Sequence, residues 1–365
     1  MPSNLNKEDV LQILNATDSE IINYMSQTVQ YRENNLITYS KNVFIPLTEI
    51  CRNDCGYCNF KKNPNDPNAI ILKSKEEILE ILNEAEEYGC KEAMFAFGED
   101  ADEEEVVRLR LKEFGYEKMI DYVVDICQMT LDETTLLPHT NGGNYSFEDL
   151  KRLKEVNASM GLMLENSSNR LMELPAHNKS PGKNPSLRIE TIANAGKLKI
   201  PYTTGILIGI GETKEEIADS LLTIRELYDT YGHIQEVIIQ NFTPISGIEM
   251  ENWVEPSFLD MIRTVIAGCL VFGDTDVSIQ VPPNLNNDTA QIFLLCGADD
   301  WGGVSPVSPD FVNITSPWPG IDELEKLTED AGFKLVERLC IYEKYINSEW
   351  LSDYLLDKIN QCKHQ

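Results

Sequence analysis

Apolar residues recur at helical spacing through the first forty positions, over residues 7–14 and 19–33, with Ser19 as a candidate N-cap. Beyond residue 40 the rhythm changes to short apolar runs that alternate with amphipathic segments. Runs at 42–46, 92–97, 134–138, 159–164, 203–208, 236–242 and 277–281 predict strands, and a weaker eighth falls around 293–296. Between them, residues 74–88, 147–155, 187–197, 214–228 and 258–271 carry helical periodicity, and Ser74 with Glu77 forms a capping box at the start of the first. Strand and helix in regular alternation predict an α/β fold with a parallel sheet and crossover helices. For 365 residues a (β/α)8 barrel is the economical closure, with a doubly wound open sheet as the alternative. A barrel keeps its active site on the loops that follow the strands. The expected organisation is a helical N-terminal extension (1–40), the barrel (41–305) and a C-terminal extension (306–365) packed on the barrel's outside. Residues 174–185, with Pro175, Pro181, Gly182 and Pro185, read as the most flexible stretch.

Composition narrows the function classes. A chain that is 42% hydrophobic and 25% charged is not disordered in bulk. Against 31 basic residues stand 60 acidic ones, a net charge of −29, so neither nucleic acid nor a membrane surface is an expected partner. The start, Met1-Pro2-Ser3-Asn4, carries no targeting pattern, and the most apolar window, 264–273, is about half a bilayer span. A cytoplasmic location follows as the expectation, with thiols kept reduced.

In that setting the nine cysteines need explaining. Three of them form Cys51-Arg52-Asn53-Asp54-Cys55-Gly56-Tyr57-Cys58 directly after the first predicted strand. Chance supplies roughly 0.005 such spacings in a chain of this composition. Arg52, Asn53 and Asp54 are poor core residues, which argues against three buried thiols. A closed zinc site takes four ligands, usually from two pairs, and the sequence has no second CxxC and no HxxxH. Thiolates also suit iron–sulfur clusters, where three ligands on one loop leave one iron open for chemistry. The other six, Cys90, Cys127, Cys269, Cys296, Cys340 and Cys362, read as buried thiols in apolar contexts.

The CxxxCxΦC spacing, with Tyr57 at the aromatic position, resembles the signature of the radical S-adenosylmethionine (SAM) superfamily. The resemblance implies a radical SAM barrel of TIM type, a 4Fe–4S cluster on Cys51, Cys55 and Cys58, and SAM chelated to the open iron. One electron from the reduced cluster would then cleave SAM to methionine and a 5′-deoxyadenosyl radical. Tyr57 would lie beside the adenine. Phe97-Gly98-Glu99 resembles the family's GGE motif with Phe in place of the first Gly, and Gly98-Glu99-Asp100 its GED variant. Gly98 would admit close backbone approach and Glu99 would accept from the SAM ammonium; solvated charge at a helix start is the alternative for Glu99. Glu165, before Asn166-Ser167-Ser168, would hold ribose hydroxyls, and Arg188 the SAM carboxylate; loop polarity and a surface helix charge are their alternatives. Gly205–Glu212 echoes the family's GxIxGxxE stretch, with Leu207 in an apolar wall near adenine. It is not a dinucleotide fingerprint, because GxGxxG is not met and the acidic partner is missing.

Within the superfamily the chain resembles the CofG-type subunits of FO synthases over nearly all of its length after residue 40. Residues 44–51 leading into 57–60, residues 137–143, Gln240-Asn241-Phe242 and residues 297–303 carry the likeness, with Asp299 departing from the more usual Asn. The resemblance implies a small-molecule substrate, the adduct of a hydroxybenzyl group with 5-amino-6-(D-ribitylamino)uracil, made by a CofH-type partner. It also implies an electron donor such as ferredoxin or flavodoxin. Gln240, Asn241 and Asp300 are typed to bind that substrate, and His139 to act as acid or base, with a satisfied loop histidine as its alternative. Competing readings are the CofH-type partner, a biotin-synthase or menaquinone-pathway relative, an iron–sulfur carrier without SAM chemistry, and a zinc-stapled binding module.

Overall fold

The computed structural model describes residues 5–32, 34–287 and 289–364. Eight parallel strands close a barrel: β1 (Leu36–Thr48), β2 (Glu92–Phe97), β3 (Leu137–Asn141), β4 (Ser159–Gly161), β5 (Tyr202–Ile208), β6 (Ile234–Asn241), β7 (Ser278–Gln280) and β8 (Asp300–Val304). A ninth, β9 (Lys334–Arg338), adds to β1 from outside the ring, pairing Leu36–Ser40 while the later half of β1 pairs β2. The helices are α1 (Lys7–Leu14), α2 (Asp18–Thr28), α3 (Lys75–Glu87), α4 (Glu105–Glu113), α5 (Met119–Glu133) and α6 (Phe147–Lys154). They continue as α7 (Pro185–Lys197), α8 (Lys214–Tyr231), α9 (Phe258–Phe272), α10 (Ala290–Leu295), α11 (Ile321–Asp330) and α12 (Asp353–Lys363). The main apolar core lies between strands and helices, as barrel geometry requires.

The alternation of strand and helix thus reads through to a barrel, and the departures are local. The eighth predicted strand is a helix: Ile292-Phe293-Leu294-Leu295 belongs to α10, and the true β8 is Asp300-Trp301-Gly302-Gly303-Val304. A short apolar run fits either element, whereas β8 is poor in aliphatic residues because much of its surroundings is polar. Helices α4 and α5 were not foreseen, and the predicted strand at 134–138 begins on the C-cap of α5. The signal existed, since Met119, Tyr122, Val123, Ile126, Cys127 and Thr130 repeat at helical spacing on the buried face. Thr17, not Ser19, begins α2, reciprocating with Glu20 in a capping box. The expected end of that helix, Glu33, lies outside the described residues, as does the Met1–Asn4 start. The apolar window 264–273 is most of α9, which α1 and α2 cover from outside, so its hydrophobicity answers to a double-sided burial. Among the described residues no helix is long and apolar enough to cross a membrane.

The barrel interior is polar. Ser40 and Asn42 of β1, Glu92 of β2, His139 of β3, Thr203 of β5, Glu236 of β6 and Gln280 of β7 line an internal chamber. Three carboxylates at its base, Glu92, Glu236 and Asp300, are each at most 5% exposed. Their counter-charge comes from the end of β9. Arg338 donates from Nε to Asp300 Oδ2 (2.5 Å) and from Nη2 to Asp300 Oδ1 (2.8 Å) and Glu236 Oε1 (2.9 Å). Tyr342 and Thr38 donate further bonds to Asp300, Ser40 to Glu92 and Thr203 to Glu236. Burial, only partly offset by Arg338, pushes the Glu236 carboxyl up to about 8. The tail therefore does more than lie against the barrel, because it plugs the floor with a guanidinium.

Removing that guanidinium leaves buried carboxylates without compensation, which typically costs about 3–5 kcal/mol. Arg338→Met is expected to lose about that much stability in urea denaturation; a loss below about 1 kcal/mol would show that the floor does not depend on it.

Candidate active site

On the C-terminal face of the barrel a cavity of about 300 Å³ opens among the loops after β1, β2, β4 and β6. Cys51, Cys55 and Cys58 line it, together with Tyr57, Gly98, Glu99, Glu165, Arg188, Leu207, Gln240 and Asn241. Residues that lie far apart in sequence are thus brought to one wall-to-wall site.

The cysteine loop is held from two sides. Its start runs beside the loop after β2, where Gly98 N–H donates to Thr48 O (3.1 Å) and Arg52 N–H to Glu99 O (3.0 Å). A Cβ on Gly98 would fall 1.8 Å from Ile50 O, so Gly98 serves the approach of the cysteine loop's own backbone. The other side is residues 174–185, read from sequence as the flexible stretch. In the fold they form a docked clamp, with Ala176, His177, Ser180 and Gly182 buried. Gly56 N–H donates to Pro175 O and Ala176 O (both 3.2 Å), Asp54 N–H to Lys179 O (3.2 Å), and Gly182 N–H to Asn53 Oδ1 (2.9 Å). The Tyr57 hydroxyl pairs with His177 Nε2 at 3.1 Å. Proline and glycine here shape a fixed loop, because its backbone groups find partners.

Glu99 is fixed with equal care. It accepts from Asn53 Nδ2 (2.9 Å) and from Asn144 Nδ2, and Arg188 lies 3.7 Å away. Cβ atoms on Gly143 or Gly182 would fall 2.5 Å and 2.2 Å from its side chain, so both glycines are vacant ground that Glu99 occupies. Glu165, at φ 62°, directs its carboxylate to Lys183 Nζ at 2.6 Å, with Arg188 at 3.8 Å. Burial raises the Glu165 carboxyl, yet Lys183 and Arg188 outweigh it and hold it below the usual carboxylate value. Arg188 donates from Nε to Met163 O (2.8 Å), while both carboxylates stay beyond hydrogen-bond distance of its terminal nitrogens. An anion entering the cavity meets a guanidinium with unspent donors. Leu207 joins Leu171, Ile210, Phe242 and Met250 in an apolar wall that packs against Tyr57.

The donor set tests which metal group fits. Among the described residues no three His, Cys, Asp or Glu side chains converge as they would on a single ion. Three thiols along one wall instead suit a polynuclear cluster, whose ligands bind different irons. Burial pushes Cys51 up to about 12 and Cys58 above its usual value, so bare thiolates are disfavoured there and cationic iron would reverse that. The remaining six cysteines are buried and free.

Below this cavity lies the internal chamber, about 170 Å³, and the two share Asn141, Gln240 and Asn313 among their walls. His139 belongs to the chamber. The Ser159 hydroxyl donates to Cys340 O (2.8 Å), so its oxygen accepts from His139 Nδ1–H (2.7 Å), which leaves Nε2 with its lone pair. Burial pushes His139 down to about 3, which favours the neutral ring and leaves Nε2 able to accept a hydrogen bond. A Cβ on Gly161 would lie 3.0 Å from Nε2, and the missing side chain keeps that nitrogen open. Gln240 lines both cavities, and Asn241 accepts from Asn286 Nδ2 at 3.0 Å. Asp300 is not brought to the site. Its carboxylate is 0% exposed and consumed by Arg338, Thr38 and Tyr342 at the floor. Lys183, Asn53, Asn144 and His177 were missed, since nothing in their local sequence marks them until the clamp is folded.

Comparison with known proteins follows the same lines. A family model described as the Radical SAM superfamily matches residues 45–224. The chain is 77% identical over 335 residues to 7,8-didemethyl-8-hydroxy-5-deazariboflavin synthase of Methanobrevibacter smithii, spanning 92% of this chain and 99% of that protein. It is 52% identical over 356 residues to the protein of the same name from Methanocaldococcus jannaschii, spanning 97% and 98%. Among solved structures, the FeFe-hydrogenase maturase HydG of Carboxydothermus hydrogenoformans superposes with a TM-score of 0.75 at 17% identity, over 92% of this chain and 76% of that one. Methylornithine synthase (PylB) gives 0.70 at 18% identity, over 91% and 94%. At these identities the structural likeness speaks for the fold.

The clamp generates a direct test. A Cβ on Gly56 would lie 2.5 Å from Pro175 O, a backbone atom that cannot step aside. Gly56→Ala should cost about 1–3 kcal/mol and open residues 174–185 to limited proteolysis. Gly320→Ala, with nothing within 4 Å but at the N-cap of α11, should cost at most about 1 kcal/mol and leave residues 174–185 protected from the protease. Equal behaviour of the two variants would refute the docked clamp.

Proposed function

The chain belongs to the radical SAM superfamily and, within it, to the 7,8-didemethyl-8-hydroxy-5-deazariboflavin synthases, and from that premise we propose how its residues divide the work. Cys51, Cys55 and Cys58 would hold three irons of a 4Fe–4S cluster and leave the fourth for SAM. When bound, the reduced cluster supplies the electron that splits SAM into methionine and a 5′-deoxyadenosyl radical, which takes a hydrogen from the substrate. Glu99, pinned by Asn53 and Asn144, accepts from the SAM ammonium. Arg188 offers its spare donors to the SAM carboxylate, and Glu165 its carboxylate to the ribose hydroxyls, with Lys183 keeping it ionised. Tyr57 and Leu207 flank the adenine on the apolar wall.

The observation that carries this reading is the convergence of the three thiols, Glu99, Glu165 and Arg188 on one cavity that continues into a polar chamber. The substrate is the hydroxybenzyl adduct of 5-amino-6-(D-ribitylamino)uracil, received from a CofH-type partner. Ring closure and loss of ammonia complete the deazaflavin, with SAM, spent as methionine and 5′-deoxyadenosine, as the net two-electron oxidant. Gln240 borders both cavities and Asn241 the upper one, and His139 accepts a hydrogen bond through Nε2. Asp300 has no part in binding, since its oxygens are already committed to the floor. A ferredoxin or flavodoxin supplies the electron.

Anaerobic reconstitution should load about four irons per chain. Incubation with reductant, SAM, tyrosine, the diaminouracil and a CofH-type protein should then yield deazaflavin fluorescence. Cys55→Ala should abolish both deoxyadenosine and fluorescence; deoxyadenosine without fluorescence from the parent enzyme would defeat the product assignment. Glu165→Gln should raise the KM for SAM about tenfold, the weight of a charge-assisted hydrogen bond. An unchanged KM would remove Glu165 from the SAM site.

A further inference from the structure

The chamber beneath the SAM cavity contains buried polar atoms that the protein itself leaves without partners. Asn42 is 1% exposed and Asn284 3% exposed, and the Oδ1 atom of each is unpaired. Trp318 Nε1–H is likewise buried and unpaired, and all three residues line the chamber. The orientation of Asn284 is settled by its other end, since Nδ2 donates to Asp310 Oδ2 (2.8 Å) and to Ser316 O (2.9 Å). Space for these groups is created in the Trp301-Gly302-Gly303 stretch of β8. A Cβ on Gly303 would lie 2.2 Å from Asn42 Nδ2, and one on Gly302 would lie 2.0 Å from Gln280 Nε2. Native proteins pair nearly all buried polar groups, so three orphans on one chamber mark the places of a ligand's hydroxyls.

We propose that this chamber seats the ribityl chain, the polyhydroxyl arm that a deazariboflavin carries, with Asn42, Asn284 and Trp318 as its hydrogen-bond partners. The inference rests on the reaction assigned above and adds which part of the substrate goes where. The chamber is rich in acceptors: two orphan amide oxygens, His139 Nε2, and the carboxyls of Glu92 and Glu236. An alditol brings a hydrogen on every hydroxyl and can also accept from the Trp318 indole. The pyrimidinedione offers carbonyl oxygens to walls already full of acceptors, and the phenol offers one hydroxyl on an apolar ring. Volume agrees. About 170 Å³ is close to the roughly 150 Å³ cavity that takes up benzene, so it suits an unbranched five-carbon chain better than a fused tricycle. The ring system then lies at the junction where Asn141 and Gln240 border both cavities, facing the SAM side.

Equilibrium dialysis of the anaerobically reconstituted, SAM-bound enzyme tests the assignment with two chromophores. One is 7,8-didemethyl-8-hydroxy-5-deazariboflavin, and the other is its 10-methyl counterpart, which lacks the ribityl chain. The ribityl compound should bind the parent enzyme about 30-fold more tightly, the sum of several neutral hydrogen bonds. Trp318→Phe breaks no intramolecular hydrogen bond and should weaken only the ribityl compound, by about fivefold. Asn284→Ala should do the same or more, again sparing the methyl compound. Equal binding of the two by the parent, or variants that weaken both alike, would overturn the seat of the ribityl chain while leaving the reaction intact. Binding of neither, with SAM still bound, would overturn the assigned reaction and this inference together.

Discussion

One guanidinium makes the interior of this barrel possible. Strands β1, β2, β6 and β8 send Ser40, Glu92, Glu236 and Asp300 inward, and an unpaired set of buried carboxylates would not be tolerated. Arg338 enters from the C-terminal tail and satisfies Asp300 on two edges and Glu236 on a third contact. Most barrels fill their centres with branched aliphatic side chains. Here a polar floor leaves a chamber above it, and the chamber can receive a hydroxyl-rich ligand. The ninth strand, which places Arg338, is therefore part of the site's foundation although it lies outside the barrel ring.

The upper cavity depends on a different economy, that of missing side chains. Gly98 lets the cysteine loop lie against the loop after β2, Gly56 lets the clamp close on it, and Gly143 with Gly182 leave the volume that Glu99 fills. Gly302 and Gly303 do the same for Gln280 and Asn42 in the chamber below. Each glycine is required by a particular neighbour, so these carboxylates and amides are positioned by the backbone of other loops. Charge then tunes the result: Lys183 keeps Glu165 ionised in spite of its burial, and burial keeps His139 neutral.

Most of the architecture was legible in the chain. Strands β2, β5 and β6 and helices α3, α8 and α9 follow from apolar periodicity, and the box at Ser74 and Glu77 holds in the fold, with Ser74 Oγ accepting from Glu77 N–H. Where the reading slipped, a short run was ambiguous between helix and strand, as at Phe293, or a strongly charged helix hid its stripe, as in α4 with only Val107 and Leu111 buried. The cysteines, Glu99 and Glu165 were singled out by a motif or a strand end and Arg188 by the family resemblance, and all six line one cavity. Lys183, His177 and Asn144 carry no such mark, and Asp300 was misread because its type fits a substrate while its neighbours do not.

The sequence by itself determined the barrel, the three thiols and the kind of chemistry they serve, because periodicity and a tight cysteine spacing are local properties. Only the tertiary structure decided what each polar residue faces. A carboxylate at a strand end is a ligand if its oxygens are left free and a structural strut if an arginine from a distant strand takes them. At Asp300 Arg338 takes both oxygens, whereas at Glu165 Lys183 takes one, and each outcome depends on contacts between residues 18 to 38 positions apart in the chain, which no local pattern encodes.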